Sequence, residues 1–196
     1  MNRQSIYGIR DVARSSGRSV FNAQELANLI GSRKEYATVY MSRLVARHLA
    51  TKLIRGRISF SDNDLVIATQ LYEPSYVSLD SALLFHGLRK QVPRNVQCVY
   101  TGNSLVLSRY GIEYHKIASA LFFGYKRHTL GDSYALVAEP EKALLDGYYL
   151  GLYTFDDLEE FSGSLHFDKL TGQVERFNGR GSRKMKEALA LLTASS

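Results

Sequence analysis

Apolar positions in the first third of the chain recur at helical spacing. Ile6, Ile9, Val12 and Ala13 form one set, which Ser15, Ser16 and Gly17 interrupt, so the pattern predicts a first helix over 6–13. Asn22 precedes a second set of Leu26, Ala27, Leu29 and Ile30, with Glu25 at capping-box spacing and Gly31 ending the helix. Residues 33–48 read as a third helix. Ala37, Tyr40, Met41, Leu44 and His48 fall on one side, and Glu35, Val39, Ser42, Arg43 and Ala46 on the other. In LATKLIRGRISF, two short apolar runs then flank Arg55-Gly56-Arg57, which predicts a small hairpin with glycine at its tip. Helix, capped helix, short turn, longer helix and basic hairpin is the element order of a winged helix-turn-helix, whose second motif helix enters the DNA major groove.

Asp62 to Asp64 form a polar joint, and LVIATQLY predicts a short connecting helix ahead of Glu73-Pro74. The pattern divides the chain into domains at 1–70 and 71–196. Pro74 biases Glu73 away from the helical region, and Ser78 is placed to cap a core helix running through Leu79, Ala82, Leu83, Leu84 and Phe85 to Gly87. Segments 97–101, 105–107, 112–117, 121–125 and 134–137 are short and rich in β-branched or aromatic residues, with glycines beside them, and read as strands. Glu139-Pro140 opens a helix with Ala143, Leu144, Leu145, Tyr148 and Leu152 on its apolar face. Thr154 caps FDDLEEF, and GRGSRKMKEALALLTAS runs from a basic loop into a last amphipathic helix. The expected fold class is α+β, a winged helix-turn-helix followed by a mixed α/β C-terminal domain.

The distribution of charge sharpens this picture. Residues 1–61 carry eleven Lys or Arg against three Asp or Glu, a net +8, whereas 62–196 carry fourteen against sixteen. Such a concentration is the electrostatic footprint of a polyanionic partner. On that footing the expected groove-facing residues are Arg33, Lys34, Thr38, Val39, Ser42 and Arg43, while Arg47, Lys52, Arg55 and Arg57 contact phosphates. Arginine pairs with both guanine acceptors, threonine and valine methyls meet thymine, and the hairpin cations neutralise the backbone of double-stranded DNA.

The same residues argue against other classes. No apolar run is long enough to span a bilayer and the N-terminus has no signal-peptide core, so no membrane partner and a cytoplasmic setting are expected. Cys98 is the only cysteine, which rules out an internal disulfide and reads as a small core residue. The five histidines are widely spaced, with no HExxH, and no metal or other cofactor is expected. GRGSRK at 179–184 lacks the serine or threonine and the preceding strand of a nucleotide cradle. Glu139 and Glu141 are explained by a helix N-terminus, Asp146 by a solvated or capping role, and Ser78 with Asp80 as helix-start residues. The chain is therefore not expected to be an enzyme. Ten of the thirteen tyrosines lie beyond residue 70, where a near-neutral charge favours core and interface roles over RNA stacking.

The segments YEPSYVSLDSALLFHGL (72–88), VYTG (99–102), FGYKR (123–127) and AEPEKALLDGYYL (138–150) resemble the AbiEi antitoxin family. The resemblance covers 71–151, and a winged helix is that family's usual N-terminal partner; residues 163–196 lie outside it. It implies that the C-terminal domain is an antitoxin domain, neutralising a nucleotidyltransferase toxin without a stable complex being required. It further implies that the N-terminal domain represses its own operon through inverted repeats in the promoter. The alternative is a solitary winged-helix regulator whose second domain binds an effector or a protein.

Overall fold

The computed structural model describes residues 5–177 and 181–195 and is a mixed α and β structure. It forms two compact units. The first takes the described chain up to Glu73 together with Arg127–Ala135, and the second takes Pro74–Lys126 and the chain from Leu136 onward.

The first unit begins with α1 (Ile6–Ser15), capped by the Ser5 hydroxyl, followed by β1 (Val20–Asn22). Asn22 caps α2 (Ala23–Ile30) in the expected capping box with Glu25, and Gly31 ends it in the left-handed region. The third helix, α3, runs from Lys34 to Ala46, and β2 (Thr51–Lys52) and β3 (Arg57–Ser59) follow. His48 does not join the buried side as the periodicity predicts. The helix has ended before it, its φ is 54°, and its side chain is exposed. β3 pairs with both β1 and β2, antiparallel, in the order β1-β3-β2. Ile9, Leu26, Ala37, Met41, Leu44, Ile58 and Phe60 form one core under the three helices and this sheet.

The stretch read as a connector is a buried part of this unit. In α4 (Asp64–Leu71), capped by Asn63, residues Val66, Ala68, Thr69, Gln70 and Leu71 are all buried. The Gln70 carboxamide ties three segments together. Its oxygen accepts from the amides of Ser19 (2.8 Å) and Val20 (3.1 Å), and its nitrogen donates to the Ser133 hydroxyl and the Tyr134 carbonyl. Ser133 in turn donates to the Gly17 carbonyl. These bonds explain why residues 127–135, distant in sequence, group with the first unit.

The second unit opens with a strand that the sequence pattern does not reveal, β4 (Ser75–Val77), before α5 (Leu79–Phe85). It continues through β5 (Val96–Tyr100), β6 (Leu105–Leu107) and β7 (Ile112–Lys116); β8 (Tyr125–Leu130) leaves it after Lys126 and β9 (Ser133–Ala138) returns to it at Leu136. The sheet order is β6-β7-β5-β4-β9-β8, with β5 parallel to β7 and β4 parallel to β9. Residues 121–125 are not a strand. A short 3-10 turn, Ser119–Leu121, leads into an irregular stretch, and the strand starts only at Tyr125. Leu121 and Phe123 are buried there, so the aromatic density that mimicked a strand is core packing.

The remaining helices are α6 (Pro140–Leu150), α7 (Phe155–Ser162), α8 (Phe167–Val174) and α9 (Ser182–Ser195). Proline stands at the start of α6, and α7 has a Thr154–Asp157 capping box. α6 packs against α5, α7, α8 and α9. Glu141, 1% exposed on α6, accepts from the backbone amide of His166 at the start of α8. His166 makes no side-chain cap, and this buried carboxylate supplies an acceptor at the helix N-terminus, its charge adding to that of Asp168 in the first turn.

Candidate functional site

Ten of the thirteen residues of α3, together with its flanking Arg33 and Arg47, are exposed or half-buried, and they define a broad outward arc. At 100° per residue, Lys34, Thr38 and Ser42 occupy one flank of the arc, while Arg43 and Arg47 occupy the other, with Arg43 about 140° from Thr38. Glu35, Val39 and Ala46 lie between them. Arg33 stands at the N-cap without making a side-chain cap. The Thr38 hydroxyl donates to the Lys34 carbonyl (3.0 Å) and the Ser42 hydroxyl to the Thr38 carbonyl (3.2 Å). Both donors are engaged with the helix backbone, which leaves lone pairs and the threonine methyl directed outward. Val39, 47% exposed, and Tyr36, 48% exposed, add apolar surface to a charged arc.

Beside α3 the hairpin turns through Arg55 and Gly56, whose φ values of 53° and 67° are both positive. The Arg57 amide donates to the Ile54 carbonyl and the Leu53 amide to the Arg57 carbonyl, closing the turn. Between α3 and the hairpin runs a groove of about 460 Å³. Thr38, Ser42, Lys52 and Arg57 edge it, and Ala23, Met41, Val45 and Ile58 supply its apolar floor. Arg55 is exposed, with its guanidinium 5.3 Å from the centre of the Tyr72 ring. The sequence-predicted residues thus form two sets, one around the groove and one on the far flank of α3 with Arg43 and Arg47. Glu35, Tyr36 and the groove floor were not among the expected site residues. The helical period does place Glu35 on the polar side, and its acidity obscured it.

Charge pairing divides the cations of this unit. Arg18 donates through both terminal nitrogens to Glu73 (2.7 and 3.1 Å) and through Nε to the Val20 carbonyl. Burial lowers its affinity for a proton, but the Glu73 and Glu25 carboxylates outweigh this and raise its pKa. Arg57 reaches Glu25 at 3.4 Å, and Arg10 reaches Asp11 at 2.7 Å. Among the described residues, no carboxylate forms an ion pair with Arg33, Lys34, Arg43, Arg47, Lys52 or Arg55. Arg14 on α1 and Arg127 in the returning segment also lack a carboxylate partner, so six of the eight unmatched cations among the described residues of this unit stand on α3, its flanks and the hairpin.

The second unit holds a different polar centre. Asp146 and Lys142 are fully buried and paired on α6. The Tyr76 and Ser78 hydroxyls donate to the other carboxylate oxygen at 2.9 and 2.8 Å. Asp146 is therefore neither solvated nor a cap. Ser78 occupies the cap position of α5, but its hydroxyl is committed to Asp146 and makes no cap bond. The Lys142 nitrogen lies 4.8 Å from the Phe123 ring centre and 5.4 Å from that of Phe177, and Gly124 leaves room for its stem. Burial pushes the Asp146 carboxyl up, the Lys142 ammonium down and the Tyr76 hydroxyl well up. Every polar atom named in this cluster has a partner inside the fold, so its chemistry is cohesive. On the β5–β7 surface, Glu113 accepts from Asn95 and Gln97 at 3.0 Å and lies 3.3 Å from His115. Burial alone would raise its pKa, and these hydrogen bonds hold it below the usual carboxylate range. Asp80 accepts from Tyr153 and pairs with Arg89. Cys98 is a buried core residue whose thiol pKa burial pushes up.

Among the described residues, no three His, Cys, Asp or Glu side chains gather into a metal-binding set, and no helix is long and apolar enough to cross a membrane. The Gly179-Arg180 part of the basic loop lies outside the described residues. No protein-family model matches the sequence, and no curated protein matches it either.

Proposed function

We propose that the first unit is a winged helix-turn-helix that binds double-stranded DNA, with α3 in the major groove and the β2–β3 hairpin as its wing. The observation that carries this reading is the placement of six cations without carboxylate partners, Arg33, Lys34, Arg43, Arg47, Lys52 and Arg55, on one helix and the adjacent hairpin. Arg10, Arg18 and Arg57 are neutralised locally, and Arg14 and Arg127 are the other cations of the unit without a carboxylate partner among the described residues, so the unmatched charge is concentrated on this surface. Ser42 and Val39 lie toward the middle of the α3 arc and meet base edges, while Lys34 and Arg47, at its extremes, meet the two phosphate walls.

The second unit is the antitoxin domain of an AbiEi-type pair, and the whole chain is the autorepressor of its toxin–antitoxin operon, acting on inverted repeats in the promoter. This part rests on the resemblance of segments 72–88 and 138–150. Those segments supply Tyr76, Ser78, Lys142 and Asp146, the buried polar centre of the unit. The partner is a nucleotidyltransferase toxin. Co-expression of a nucleotidyltransferase encoded beside this chain, with and without it, tests the role. Growth restored by the wild type and by Arg55→Glu with Arg57→Glu is expected, and growth arrest unrelieved by the wild type contradicts it.

A further inference from the structure

Arg57 lines the groove beside Thr38 and Ser42, yet its guanidinium rests on a carboxylate of its own unit. Glu25 Oε2 accepts from the Asn22 amide at 2.7 Å and from Arg57 at 3.4 Å, while Oε1 lies 3.7 Å from Arg18. The backbone amide makes the short bond and Arg18 is already held by Glu73, so the Arg57 contact is the loose one. With side chains 25% and 32% exposed, the pair is half-open to solvent and easily exchanged. A phosphate oxygen entering the groove offers Arg57 a stronger, charge-assisted partner.

We infer that Glu25 competes with DNA phosphate for Arg57 and so lowers the affinity of this surface for a duplex whose backbone seats in the groove between α3 and the hairpin. The inference rests on the reading of this surface as DNA-binding. A loosely docked, non-specific duplex meets a surface with one cation less, whereas a duplex whose phosphate enters the groove displaces Glu25 and recruits Arg57. Every duplex that recruits Arg57 must break the Glu25 contact, so Glu25 lowers affinity for a fitted site at least as much as for random sequence. Its capping role is separable, because glutamine at this position also accepts the Asn22 amide.

The test uses the full chain and two duplexes, one of random sequence and one selected in vitro for tight binding to the wild type. Anisotropy over a salt series should show Glu25→Gln binding the random duplex about three- to ten-fold more tightly at about 0.1 M salt. Its log–log slope on the random duplex should be steeper by about one, and the selected duplex should gain at least as much affinity. In an Arg57→Ala background the same substitution should change neither. An equal gain in that background would mean that Glu25 acts only through the general field, and no gain on the selected duplex would mean that it withholds nothing; either overturns the inference. A wild type that binds no duplex overturns the underlying reading with it. Should Glu25→Gln lower the melting temperature markedly, Glu25→Asp replaces it, a shorter carboxylate that keeps the cap and releases Arg57.

Discussion

Single residues in this chain differ most in whether their partners lie inside the fold or outside it. Asp146 and Ser78 have every partner inside, and sequence could not show this because Tyr76 and Ser78 lie 70 and 68 positions from Asp146. Arg43 is exposed on α3 and has no carboxylate partner among the described residues, which is legible from a 3.6-residue period and a count of charges. If it meets a base, Arg43→Ala should cost about 1–3 kcal/mol on a selected duplex and much less on random DNA. Competitive binding of the two duplexes separates these outcomes. Glu113 gives the residue scale a pH dependence. Its pKa is depressed in the fold, so its contribution is present above the ordinary glutamate value of about 4.3 and is lost as pH falls through the lower folded value. Glu113→Gln should therefore flatten that acid limb in urea melts taken from neutral pH downward. An unchanged limb would mean that the Asn95 and Gln97 bonds do not discriminate between the charged and neutral carboxyl.

Elements were legible where local chemistry specifies them. The Asn22–Glu25 box, Gly31, Pro140 and the Thr154 cap each act within one turn, and all four stand where the sequence put them. α8 was not legible because Glu141, twenty-five residues away, satisfies its first amide, and Gly172 interrupts its pattern. β4 was hidden by its three-residue length, its pairing with β5 and β9 being entirely non-local. The hairpin was legible from Arg55-Gly56-Arg57, but the left-handed backbone of Arg55 was not, since a lone glycine usually absorbs that strain. Arg55→Gly separates strain from charge. It should leave the melting temperature equal or higher, because a non-glycine residue in this region costs about 1 kcal/mol or more, while making the salt slope for DNA shallower by about one. A lower melting temperature with an unchanged slope would mean that the Tyr72 contact matters and the charge does not.

At the scale of the molecule, the sign of the charge changes near residue 62, and the compact units nearly follow it, with the first extending to Glu73. The return of residues 127–135 to the first unit was not legible, because it depends on the Gln70 carboxamide and the Ser133–Gly17 bond. The charge asymmetry carries the central claim that one surface of the first unit binds duplex DNA. Anisotropy of a labelled duplex with the full chain, titrated over a range of salt concentrations, tests it most directly. If the six cations of α3 and the hairpin each neutralise a phosphate, log affinity should fall against log salt with a slope of about −5. A slope near zero, or a slope left unchanged when Lys34, Arg43 and Lys52 are replaced together by Ala, would contradict it.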